Sequence, residues 1–128
     1  MNRGIVAGPS KGRSLKDDRL IQSGPETREW LRKLREDLFS FEYQEAIYYA
    51  SFRGKGVKGV FAYLNPARHS IRLFVRLDPG DDDHLTQTPS SHHWAERFPT
   101  LFTIRRESDL AIARRIIQQS HLRARRLS

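Results

Sequence analysis

Ser70-Ile71-Arg72-Leu73-Phe74-Val75-Arg76-Leu77 alternates with period two along its whole length. Successive side chains of an extended strand point to opposite faces, so Ile71, Leu73, Val75 and Leu77 share one side and Arg72, Phe74 and Arg76 the other. The aliphatic side predicts a core face. The other side sets two guanidiniums about an aromatic ring, an arrangement suited to phosphates and stacked bases.

Working upstream from this strand, Asn65-Pro66-Ala67-Arg68 reads as a turn, Val60–Leu64 as a strand, Gly54-Lys55-Gly56 as a turn and Ala46–Arg53 as an aromatic strand. Three strands joined by short turns predict an antiparallel meander. Before it, Ser23 or Gly24 can cap a helix. Pro25 suits the first turn, and Glu26 stands three residues after Ser23 as in a capping box. Trp30, Leu31, Leu34 and Leu38 form the apolar stripe of that helix. Downstream, residues 78–97 read as a long polar loop ending in His92-His93-Trp94. Pro99 then introduces a strand over Thr100–Arg105, and Ser108 caps a closing helix that buries Leu110, Ala113, Ile116 and Ile117.

The predicted class is therefore α+β: a two-layer sandwich, with an antiparallel sheet of about four strands and an N-terminal and a C-terminal helix on one face. Residues 1–22 read as a flexible basic arm, 23–120 as the single domain, and 121–128 as an arginine-rich tail. Ala7–Ser14 resembles a phosphate loop only superficially, because no glycine directly precedes its lysine and no strand leads in.

The chain has 128 residues, no cysteine and a formal charge of +8. Without cysteine there is no disulfide framework or thiolate zinc site, which fits a reducing compartment. No apolar run approaches a membrane span of roughly 20 residues, and no secretory leader is evident, so the expectation is a cytoplasmic protein without a membrane partner. The charge sits at the two ends. Residues 1–23 contribute +3 and residues 105–128 contribute +5, the latter from arginines 105, 106, 114, 115, 123, 125 and 126 against Glu107 and Asp109. Such ends attract polyanions, or serve only to solubilise.

Residues 44–120 resemble an uncharacterised bacterial domain-of-unknown-function family, number 5655, loosely described as a predicted transport protein. The resemblance rests on Tyr48-Tyr49-Ala50-Ser51-Phe52, the alternating strand ending Leu77-Asp78-Pro79-Gly80, the His93-Trp94 pair and Ser108-Asp109-Leu110. It departs from the pattern at Ala95, where a glycine usually follows the tryptophan. The chain is also similar, more distantly, to the small α+β MmcQ/YjbR-like domains, a similarity that implies DNA binding. The resemblance carries no catalytic residues.

His84, His92 and His93 stand near Asp81, Asp82 and Asp83, yet adjacent histidines of an extended chain point apart and no helical His-x-x-x-His spacing occurs, so no metal site is assigned. There is no Gly-x-Ser-x-Gly elbow. Asp37 and Gly56-Val57-Lys58 do not supply the acid and Glu-x-Lys of a restriction-type nuclease, and Glu42 and Glu45 sit at a surface junction. The chain reads as a non-enzyme without cofactor.

The nucleic-acid-binding candidates are Arg72, Phe74, Arg76, Arg114, Arg115, Arg123, Arg125 and Arg126, with DNA or RNA as partner. Their ring neighbours would be Tyr49 and either Phe61 or Tyr63. His93 and Trp94 form a ligand or structural key, the structural version having Trp94 plug the sheet while His93 bonds the loop backbone. The alternatives are a protein-interaction or dimerisation module, in which the sheet face is covered, and binding of a small anion between the long loop and the sheet.

Overall fold

A computed structural model describes residues 18–54 and 56–127. Helix α1 (Pro25–Asp37) has Gly24 at its N-cap and Pro25 in the first turn. The cap is not the expected Ser23–Glu26 box. The Gly24 N–H donates to Thr27 Oγ1 at 3.0 Å, while Ser23 Oγ donates to the Leu20 carbonyl at 2.6 Å. Thr27 Oγ1 also donates to the Ala67 carbonyl at 2.8 Å and so seats the start of the helix on a turn of the sheet. Trp30, Leu31, Leu34 and Leu38 are buried, as their spacing requires.

The sheet has six strands rather than about four: β1 (Glu42–Glu45), β2 (Ala50–Arg53), β3 (Val60–Pro66), β4 (Ile71–Val75), β5 (Thr86–Gln87) and β6 (Thr100–Ile104). Their order is β1-β2-β3-β4-β6-β5, and all neighbours are antiparallel. The segment predicted as one strand over 46–53 is divided. Ala46 donates to the Tyr49 carbonyl at 2.8 Å and closes a turn, so only Ala50–Arg53 pairs, and Glu42–Glu45 returns as its partner. The short β5 lies inside the stretch predicted as loop, because two residues leave no periodic signal.

A bulge in β3 decides which aromatics face which way. Phe52 stands opposite Ala62 and Arg53 opposite Val60, which leaves Phe61 without a cross-strand partner. Phe61, Ala62 and Leu64 consequently join one apolar cluster, and Val60 and Tyr63 a second. The first cluster joins the buried residues of both helices to Ile71, Leu73, Val75 and Leu77, the predicted aliphatic row. The second contains Val60, Phe74, Phe98 and Leu101, with Tyr63 and Trp94 packed on it, and includes no helical residue.

Helix α2 (Leu110–Leu127) follows a 3₁₀ turn over Glu107–Asp109. Ser108, expected as the cap, lies within this turn, and the Asp109 carboxylate reaches back to accept the Arg105 N–H at 2.9 Å. Residues 121–127, predicted as tail, continue the helix. The stripe of Ala113, Ile116 and Ile117 runs on through buried Ser120 and Ala124, small side chains that still allow close packing. Ser120 binds the helix to the bulge, donating to the Phe61 carbonyl at 2.6 Å and accepting the Arg76 N–H at 2.9 Å.

Of the predicted arm, residues 1–17 lie outside the described residues. Residues 18–22 are docked rather than flexible. Leu20 is buried with a φ of 52°, and the Leu20 and Ile21 amides donate to the Ala46 and Ile47 carbonyls, both at 2.9 Å. Among the described residues no helix is long and apolar enough to cross a membrane.

Candidate functional site

The face of β4 that carries Phe74 is not open. Phe74, expected to look outward between Arg72 and Arg76, is fully buried beneath residues 88–99. Trp94 does most of the covering. Its ring stacks on Tyr63 at 4.1 Å, tilts against Tyr49 at 4.2 Å and meets Phe74 edge-on at 5.4 Å. The segment is held down by polar bonds. Thr88 donates through its amide to the Pro99 carbonyl at 2.9 Å and through Oγ1 to the Phe98 carbonyl at 2.7 Å, and the Phe98 amide donates to the Trp94 carbonyl at 2.7 Å. Of the ring neighbours expected for Phe74, Tyr49 and Tyr63 are present, and Phe61 is turned away by the bulge.

His93 does not bond the loop backbone; its neighbour does. His92 Nδ1 accepts the Trp94 N–H at 3.1 Å, its ring lies 4.9 Å from Phe74, and the exposed His93 ring stacks on it at 4.7 Å. Burial, then the neighbouring charges of His93 and Arg72, hold the His92 imidazole below its usual pKa. Arg72 remains exposed, its guanidinium carbon 5.5 Å from the Phe74 ring centroid.

The arginines of α2 divide into two sets. Three are occupied within the fold: Arg114 pairs with Asp37 at 2.7 Å, Arg115 with Asp82 at 2.9 Å, and Arg123 with Asp78 at 2.7 Å and Asp81 at 3.0 Å. Asp78, Asp81 and Asp82 of the predicted polar loop are thus fastened to α2. Burial would raise the Asp82 carboxyl, but bonds from the His84 amide and imidazole and from Arg115 outweigh it and hold the group below the ordinary carboxylate range. No group of three or more His, Asp or Glu side chains among the described residues is arranged to hold a metal ion. Arg125 and Arg126, in the last turn, have no carboxylate partner among the described residues, and their charge opposes the negative end of the helix dipole.

Of these two, Arg126 belongs to a larger basic end. Arg76, Arg97 and Arg123 line one cavity of about 280 Å³ together with Asp78, Glu96, Pro99 and Leu127. Arg123 and Arg126 line the next, of about 160 Å³, with Leu77, Asp81, Gln119 and Leu122. Arg76 Nη1 also reaches the Lys58 carbonyl at 3.5 Å. No family model matches the chain, nor does any curated protein or solved structure. Four guanidiniums, those of Arg76, Arg97, Arg123 and Arg126, gather against Asp78, Asp81 and Glu96, with Arg123 already satisfied by the first two. The remainder present forked donors of the shape that phosphate oxygens accept.

Arg72 stands away from this group, in register with Asn65 and Thr103 near the opposite ends of their strands. The predicted set is therefore not one site. Arg97 was missed, since an isolated arginine before Phe98-Pro99 carries no periodic or motif signal. The covering role of His92 and Trp94 over Phe74 depends on long-range pairing that spacing does not encode.

Proposed function

We propose that this chain is a non-enzymatic nucleic-acid-binding protein, a two-layer domain whose helices share the face opposite the aromatic loop. It would contact phosphates through the basic end formed by Arg76, Arg97 and Arg126. The observation that carries the reading is the gathering of Arg76 from the end of β4, Arg97, and Arg123 and Arg126 of α2 around adjoining cavities, Arg126 having no carboxylate partner among the described residues. Phosphate contacts release counterions, so affinity should fall steeply with salt, with a slope of about 0.9 per duplex phosphate contacted.

Fluorescence anisotropy with a labelled duplex at several salt concentrations tests this. Arg97→Ala with Arg126→Ala should weaken binding and reduce the salt slope by about 2, one for each lost phosphate contact. Arg114→Ala, which removes a guanidinium already paired with Asp37, should change it little. No binding at low salt, or equal losses from both sets, would overturn the proposal. Self-association is a second reading, favoured by Phe39, which is 85% exposed beside edge strand β1. Light scattering at increasing concentration distinguishes it.

A further inference from the structure

Beyond the basic end, one concavity lies between α2, the residues leading into β1 and the β2–β3 turn. It measures about 340 Å³ and is lined by Ser40, Phe41, Gly56, His121 and Arg125. A neighbouring one of about 380 Å³ shares Ser40 and adds Glu42, Arg53 and Gly54. Pockets of this size, with an aromatic wall and a few placed polar groups, suit small ligands.

The lining residues are held by packing on one side and left unsatisfied on the other. The His121 ring is wedged between Phe41 at 4.8 Å and Phe61 at 5.0 Å. Its position leaves no room for a side chain on Gly54, where a Cβ would stand 2.7 Å from the ring. Gly56, with a φ of +76°, turns the chain away without adding bulk to the wall. The ring is fixed, yet its nitrogens find no hydrogen-bond partner among the described residues. Arg125 one turn on has no carboxylate, and Ser40 adds a hydroxyl. The one acid at the rim, Glu42, stands opposite Arg53 in the strand register.

We infer that this cavity is a nucleotide subsite. An unstacked base would lie on the Phe41 wall, with its phosphate on Arg125, His121 and Ser40. The inference rests on the nucleic-acid reading and sharpens it. A base reaches such a cavity at low cost only from a single strand, because a duplex must first be unstacked.

The test compares three probes on the full chain: thymidine 5′-monophosphate, an oligothymidylate and a duplex of the same length. The oligothymidylate should bind more tightly than the duplex and shift the amide resonances of Ser40, Phe41 and Gly56. The mononucleotide should shift the same resonances if the site accepts the free unit, and the strand alone should do so if flanking phosphates are needed.

His121→Phe keeps the wedge and removes the nitrogens. Combined with Arg125→Ala it should lower oligothymidylate affinity by about tenfold, the loss expected of one stacked and phosphate-anchored nucleotide. Should His121→Phe fail to fold, Arg125→Ala alone, on an exposed residue, should abolish the preference for the single strand. Duplex binding with no single-strand preference and no shifts at Ser40 or Gly56 would overturn the subsite and leave the basic surface standing. Loss of binding to all three probes would overturn both.

Discussion

Replacing Ser120 with alanine removes one oxygen and strands two backbone groups. Ser120 is fully buried, and its hydroxyl is the acceptor for the Arg76 N–H and the donor to the Phe61 carbonyl. That carbonyl belongs to the bulged residue of β3, which has no cross-strand partner. An orphaned buried polar group costs about 1–3 kcal/mol, and the partly buried Arg76 amide adds less, so the expected loss is roughly 2–4 kcal/mol. Alanine creates almost no cavity here and is the better helix former, by about 0.5 kcal/mol, so propensity alone predicts the opposite sign. Urea denaturation should show a lower midpoint with an unchanged m-value, and the melting temperature should fall by roughly 10–20 °C for a domain of this size. Gln118→Ala, on an exposed position of the same helix, is the control. A loss below about 0.5 kcal/mol for Ser120→Ala would refute the claim that this hydroxyl holds α2 to the bulge.

Trp94→Ala uncovers Phe74 and Tyr63 and should cost about 2–3 kcal/mol by calorimetry, less than a fully buried tryptophan because Trp94 is half-buried. Gly54→Ala drives a Cβ into the wedged His121 ring and should destabilise by about 1–3 kcal/mol, which thermal melts would detect. The depressed His92 pKa gives a pH dependence of definite sign. The unfolded chain takes up a proton as pH falls through about 6.5, before the folded one does, so stability drops from there until the folded value is passed. Protonated Nδ1 also ceases to accept the Trp94 N–H. Melts between pH 7.5 and 5 should show this loss, and His92→Asn should reduce it.

The period-two row of β4 was legible because a strand buried against helices must be apolar on every second residue, and Ile71, Leu73 and Val75 are so placed. The stripe of α1 was legible for the same reason at helical spacing. The other face of β4 was misread because a single exposed-side Phe looks alike whether it meets solvent or a distant loop, and only Trp94 folding back decides it. The end of α2 was misread because Ser120 and Ala124 are buried without being strongly apolar. The charge at the C-terminus was read correctly in amount. Its pairing with Asp37, Asp78, Asp81 and Asp82 was not legible, because those partners lie far away in sequence. The basic end keeps Arg76, Arg123 and Arg126 from the sequence reading and gains Arg97.

The strap over Phe74 has a dynamic counterpart. One apolar cluster is backed by two helices, whereas the other is closed only by residues 88–99 and the bonds made by Thr88. The smaller hydrophobic reservoir should therefore open first and on its own. Amide protons of Thr88 and Phe98 would exchange with deuterium sooner than those of β3 and β4, and the indole would report that release before the domain as a whole unfolds.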